Sequence, residues 1–223
     1  IAAIGPYRVS SAGAKHPLDR YRAQFTGVTG DLGQIRVEVG YLDRLPLMGT
    51  VRRPAHTVFP ELAEFEVVTY GLEELAAMKM KTILERRSPR DLYDLAVIAE
   101  AGVERDAVRA AFAVLSCTVP GAGTDPLSRL RRRLGEWPMG KEDADFGQLV
   151  AEGRRWDIGE ARDALSEWVG GCELSEAERE FLKEFHDGGR ISPGRLHPAM
   201  VDGLDRHPGL LWALEQRGEE RSG

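Results

Sequence analysis

The chain has 223 residues, 42% of them hydrophobic and 30% charged, with a formal charge of −6 at neutral pH. This is enough apolar material for one good core or two small ones in a soluble protein, and the acidic balance excludes a surface that coats nucleic acid indiscriminately. Any contact with RNA or DNA must come from a local basic patch. The two cysteines, Cys117 and Cys172, lie far apart without Cys-x-x-Cys or histidine spacing, so neither a disulfide framework nor a zinc site is implied and a reducing cytoplasm fits. The longest weakly polar run, AAFAVLSCTVPGAG, is too short to cross a bilayer and ends in helix breakers, so no membrane is expected.

The first residues, IAAIGPYRV, show neither an initiating Met nor the basic-then-apolar order of a signal peptide, and read as the cut end of a longer chain. Up to about residue 71 the chain is β-like. The segments DRYRAQFTG, QIRVEVGY and EFEVVTYG alternate or cluster β-branched and aromatic residues between Gly, Pro and Asp. In QIRVEVGY, Ile35, Val37 and Val39 fall on one face and Arg36 and Glu38 on the other, the pattern of a half-buried strand that displays polar groups.

After residue 71 the period becomes helical. LEELAAMKMKTILERR predicts a helix with Leu72, Leu75, Ala76, Ile83 and the Met78 side on its apolar stripe, while Lys79 and Arg86 share another face. Six further helical segments follow, from RDLYDLAVIAEAG to HPGLLWALEQRG. Ser175 with Glu178 predicts a capping box, and Gly188 is placed to stop that helix. PGAGTDP, from Pro120 to Pro126, is the clearest loop and a candidate hinge. The chain divides into a sheet-containing portion, 1–100, and a helical portion, 101–223, an α+β class with a mixed sheet followed by a helical bundle.

RRSPRDLYDL carries the densest charge. Ser88 as N-cap, Pro89 at the first helical position and Asp91 three residues after the cap form a helix start that needs no function. It also leaves Arg86, Arg87 and Arg90 around the positive end of a new helix, where the dipole disfavours cations unless an anion is near. Chemistry alone leaves two readings open: a phosphate site, or a solvated ion-pair cluster.

GLEELAAMKMKTILERRSPRDLYDL resembles the AbiEii/AbiGii toxin family of nucleotidyltransferases, whose later motifs run approximately Leu-Glu-Glu-x-x-x-x-Lys, an Arg, then Arg-Asp-x-x-Asp-Leu. The resemblance places Lys79, Arg86, Arg90, Asp91 and Asp94 on those positions, and IRVEVGY looks like the strand with a basic residue and a carboxylate, here Arg36 and Glu38. LSEAEREFLKEF and RHPGLLWALEQR resemble the C-terminal helices. One motif departs: the superfamily's Gly-Ser turn, followed about ten residues on by Asp-x-Asp, has no counterpart in its usual place. Asp143 and Asp145 in KEDADF imitate the pair but follow the other motifs and read as surface helix residues. The expectation is that the first strands and their metal ligands precede Ile1.

The resemblance implies transfer of a nucleotide from a nucleoside triphosphate to an acceptor, tRNA where the toxic activity is defined, with magnesium as cofactor and a bacterial toxin–antitoxin or phage-defence setting. Glu38 would be a metal ligand or base, or else an exposed strand glutamate. Lys79 would neutralise the triphosphate, or is a surface lysine beside Glu73 and Glu74. Arg86 and Arg90 would clamp phosphate or the acceptor, Asp91 would orient one of these cations or the nucleotide or only complete the cap, and Asp94 would support it from one turn on. RLRRRL exposes Arg129, Arg132 and Arg133 around Leu127, Leu130 and Leu134, which fits an amphipathic bundle helix or a contact with RNA phosphates. His197-Pro198 and His207-Pro208 read as helix starts, Tyr93 and the four tryptophans as packing residues. A cognate antitoxin is a candidate partner. The reading from another class is a non-catalytic module that binds nucleotide or partner.

Overall fold

The computed structural model describes residues 2–15, 17–55, 64–138, 140, 146–147, 150, 156–192 and 194–222. They form the expected α+β protein, strands first and helices after, in two compact units. The smaller comprises residues 1–45 and 207–209, the larger 46–206 and 210–223.

The smaller unit is a four-stranded antiparallel sheet, ordered β1 (Ala2–Ile4), β2 (Tyr7–Lys15), β3 (Leu18–Thr26), β4 (Leu32–Gly40). β3 and β4 are two of the strands predicted. β2 escapes prediction because its middle, Ser10 to Gly13, is small and polar, and a bulge between Ser11 and Gly13 breaks the alternation. In β3 and β4, Tyr21 faces Val37 and Ala23 faces Ile35, while Arg20 faces Glu38. The apolar face is less buried than its pattern predicts: Ile35, Val37 and Val39 are 44%, 42% and 37% exposed. The unit is a single sheet with no second layer of its own to cover that face. Gly33 lets the facing Phe25 ring lie across it, since a Cβ there would stand 2.3 Å from Cζ and the ring would have to shift.

In the larger unit β5 (Thr50–Ala55) pairs antiparallel with β6 (Phe65–Tyr70). β6 was legible, but Pro54 disguised β5, and a two-stranded ribbon tolerates a proline that a central strand would not. The change to helix comes where expected, at α1 (Leu72–Glu85). It is followed by α2 (Pro89–Glu100), α3 (Arg105–Ser116), α4 (Pro126–Gly135), α5 (Ile158–Gly170), α6 (Glu176–His186) and α7 (Pro208–Ser222). Asp143 and Asp145 lie outside the described residues.

α1 packs against α2, α3 and α4, α5 lies on α2 and α4, and α6 lies on α3. Phe112, Leu92, Leu95, Leu130, Leu134, Phe181 and Phe185 fill the core, and α3 is buried on nearly every side because it is central. The stripe on α1 is rotated from the predicted one. Ala76, Ala77, Met80, Ile83 and Leu84 are buried and Leu72 is exposed. The cause is Glu74, which takes a place on the buried face by accepting hydrogen bonds from the backbone N–H of Leu47 (2.8 Å) and Met48 (2.9 Å).

Local signals fared unevenly. The Ser175–Glu178 capping box forms, and His207-Pro208 opens α7. His197-Pro198 opens only a turn, in which the Met200 N–H donates to the His197 carbonyl. Gly188 follows the end of α6, but the left-handed residue is Gly189, at φ 63°. The 120–126 loop joins α3 to α4 inside the larger unit. Trp137 and Trp168 are buried and Trp156 and Trp212 half-buried, as packing residues should be. Among the described residues no helix is long and apolar enough to cross a membrane.

Glu178 has a second role besides its cap. Fully buried, it receives Arg109 Nε from α3 at 2.8 and 3.1 Å, tying α6 to the central helix. Glu178→Ala would leave the mostly buried guanidinium with only the exposed Asp106 as partner, so chemical denaturation should show a loss of about 3 kcal/mol, the low end for a broken buried pair.

Candidate functional site

The site is built at the elbow between α1 and α2. α1 starts after the extended Gly71 with Glu73 and Glu74 in its first turn, where the positive helix end favours carboxylates. Its last turn has no basic residue, so its final carbonyls need an outside donor. Arg133 of α4 supplies it, donating from Nε to the Ile83 carbonyl (3.3 Å) and from Nη2 to that of Leu84 (3.2 Å). Arg86 follows in extended conformation, and the chain re-enters helix through Ser88 and Pro89.

At this point the structure corrects the cap reading. Ser88 occupies the N-cap position, but no side-chain hydrogen bond caps α2. The Asp91 carboxylate is turned the other way. It is 0% exposed, accepting Arg86 Nε at 2.8 Å and Arg86 Nη2 at 3.3 Å, and lies 3.4 Å from Lys79 Nζ. Lys79 Nζ is also 2.6 Å from Asp94 Oδ2, one turn along α2. Two cations from α1 and its end thus converge on two carboxylates of one helical face. The hydrogen bond from Arg86 to Asp91 raises the guanidinium pKa above its ordinary value, so it stays a cation at any physiological pH.

The buried carboxylate orients cations that remain accessible. The Arg86 side chain is 64% exposed and Lys79 half-buried, so both present donors to solvent while their partners hold them from beneath. Beside them Arg90 is exposed and makes no ion pair with another described residue, and Arg87 lies 3.6 Å from Glu136. The charges of the inner cluster cancel, Glu136 answers Arg87, and Arg90 leaves a positive charge at the edge. Such an edge suits a multivalent oxyanion, because guanidinium grips two oxygens at once and ammonium follows them as a point charge.

Lys79, Arg86, Asp91 and Asp94 therefore come together, with Arg90 alongside. Glu38 lies in the smaller unit, on β4, displayed as expected; it pairs with Arg20 at 3.0 Å, and Arg36 beside it is exposed. Leu127, Leu130 and Leu134 are buried as predicted for α4, but Arg132 alone of its three outward arginines is exposed. Arg129 donates to the Pro120 carbonyl at 3.0 Å and Arg133 serves α1, which leaves both half-buried. Tyr93 packs edge-on against Trp156 and Phe146, at 5.0 and 5.7 Å between centroids.

Among the described residues no three His, Cys, Asp or Glu side chains are grouped to hold a metal ion. Glu38 faces Arg20, and Asp91 and Asp94 face Lys79 and Arg86, so the carboxylates described here do not by themselves fit a magnesium site.

Sequence reasoning missed Glu74 and Arg133. Glu74 carries no local sign of burial, because its partners are backbone groups 26 and 27 residues away. Arg133 was legible only as part of RLRRRL; its role at the end of α1 has no local sign, because LEELAAMKMKTILERR reads as a helix with arginines of its own at the end, whereas the helix stops at Glu85.

A family model for the nucleotidyl transferase AbiEii toxin of type IV toxin–antitoxin systems matches residues 6–136. Among solved structures, the fold is similar to that of MenT4, a nucleotidyltransferase toxin from Mycobacterium tuberculosis H37Rv, with a TM-score of 0.51 and 16% identity. That match covers 96% of this chain and 69% of the other. No curated protein matches.

The two acidic residues should differ in stability cost. Asp91→Asn removes a fully buried anion from between two cations and should cost about 3 kcal/mol, the low end for a broken buried pair because Lys79 and Arg86 can re-solvate. Asp94→Asn, at a third-exposed site, should cost less than about 1 kcal/mol in the same urea titration.

Proposed function

The chain belongs to the AbiEii family of nucleotidyl transferase toxins of type IV toxin–antitoxin systems, and from that membership we propose that it transfers a nucleotide from a nucleoside triphosphate to an RNA acceptor, tRNA. The observation that supports this most is the pairing of Lys79 and Arg86 on a carboxylate with no solvent exposure, beside the exposed Arg90. Cations held in this way meet a polyphosphate without first having to be ordered, which lowers the entropic cost of binding.

Nucleotidyl transfer displaces pyrophosphate from the α-phosphate in line, and its barrier is chiefly electrostatic. In this reading Lys79 neutralises the triphosphate, and Arg86 and Arg90 grip its non-bridging oxygens. Asp91 and Asp94 position Lys79 from two sides. The family generally uses a triphosphate and a divalent metal, here proposed to be magnesium; Glu38 is the sheet carboxylate proposed for that chemistry, as metal ligand or base. Its exposed pair with Arg20 is weak enough to exchange. We take residues 1–100 as the nucleotidyltransferase-like portion and 101–223 as the helical one, with Arg132 and the outer edges of Arg129 and Arg133 contacting acceptor phosphates. An antitoxin is the proposed protein partner, in a phage-defence role in the bacterial cytoplasm.

A second reading, nucleotide binding without chemistry, draws on one observation: Glu38, Asp91 and Asp94 all have cation partners. Incubating the protein with magnesium, α-labelled triphosphates and total RNA separates the two. Transfer predicts labelled RNA, reduced at least about 100-fold in Lys79→Ala and about 10-fold in Asp94→Asn. Triphosphate binding with no label in RNA selects the second reading, and equal labelling by wild type and Lys79→Ala contradicts the assigned role of Lys79.

A further inference from the structure

The β2–β4 sheet has a basic face, the one that carries Glu38, whose arginines the assigned roles leave unused. Strand register puts Arg22 directly opposite Arg36, Arg8 opposite Gln24 and Arg20 opposite Glu38, all on the face away from Ile35, Val37 and Val39. All four arginines are exposed. Glu38 answers Arg20, while Arg8, Arg22 and Arg36 have no acidic partner among the described residues. Three guanidinium groups on three adjacent strands, with strands about 4.8 Å apart, give concentrated positive charge on a chain whose total is −6. Like charges directly opposite each other destabilise a sheet, so Arg22 and Arg36 repel unless an anion lies across them.

We propose that this face binds the phosphate backbone of RNA. Two features favour RNA over an acidic protein. Between Leu18 and Leu32 at its ends the face has no apolar side chain at these paired positions to anchor the core of a protein interface, only arginine, glutamine, Ser10 and Glu38. Guanidinium groups spread over a flat surface suit the repeated phosphates of a polynucleotide. The aromatic residues of the sheet lie elsewhere: Tyr21 and Phe25 face Val37 and Gly33 on the opposite side. Without a stacking platform the face reads phosphates and not bases, so binding is tolerant of sequence and steeply dependent on salt.

This inference deepens the acceptor half of the proposed transfer, and its test needs no transfer. Binding of a fluorescent 20-nucleotide oligouridylate is measured across a salt series without triphosphate. Arg8→Gln/Arg22→Gln/Arg36→Gln should weaken binding at least tenfold at low salt and make the slope of log K against log salt shallower by about 2, three phosphates at roughly 0.7 each. Its melting temperature should be unchanged or higher, since the Arg22–Arg36 repulsion is gone. The single variant Arg36→Gln, the mildest change, should lose about 0.7 of slope. Lys79→Ala should bind this RNA like wild type even where it abolishes transfer. Unchanged affinity and slope in the triple variant overturn the proposal, as does poly-glutamate competing as well as RNA for the wild-type protein.

Discussion

The buried carboxylate of Asp91 is the constraint on which the candidate site depends. A charge with no solvent exposure is tolerated only when paired, and its partners come from α1 and from the segment linking it to α2. The pairing fixes the elbow between the two helices and opposes the repulsion between Lys79, Arg86 and the positive end of α2. It also decides what remains exposed: the outer surfaces of the cations, with the carboxylate beneath them.

Neighbouring elements reinforce that geometry from different directions. Arg133 caps the end of α1 just before Arg86, so a helix three elements later in the chain helps set where the guanidinium begins. Glu74 holds the 47–48 backbone against the first turn of the same helix. These are contacts of helix ends, where unsatisfied backbone groups must find partners, and they give α1 defined positions at both termini. The basic residues on the sheet face follow a different logic. They stand exposed on three adjacent strands of one sheet, suited to a partner that brings its own negative charge.

Much of this was legible in the sequence. The switch from strand to helix at residue 71 and the places of α2 through α7 follow from hydrophobic period and helix-start signals, which are local, although α7 runs on to Ser222 past the Gly218 where its pattern ends. The resemblance of LEELAAMKMKTILERRSPRDLYDL to the family brought together Lys79, Arg86, Asp91 and Asp94, and the structure joins them by ion pairs. What was not legible depends on distant partners. Ser88-Pro89-Arg90-Asp91 satisfies the rule for a capped helix start, yet cations 5 and 12 residues earlier outcompete the cap for the Asp91 carboxylate. The apolar stripe of α1 was misjudged because Glu74 is buried by backbone donors that no helical period reveals. The strand pattern of Ile35, Val37 and Val39 correctly announced a two-faced strand, but alternation states which residues share a face and not whether a second layer covers it.

The most direct test of the account is a crystal structure of the protein with a non-hydrolysable nucleoside triphosphate. Triphosphate oxygens should lie within hydrogen-bonding distance of Lys79 Nζ and the Arg86 guanidinium, with Asp91 still buried behind both. Triphosphate bound elsewhere, with Lys79 and Arg86 contacting only Asp91 and Asp94, would contradict it.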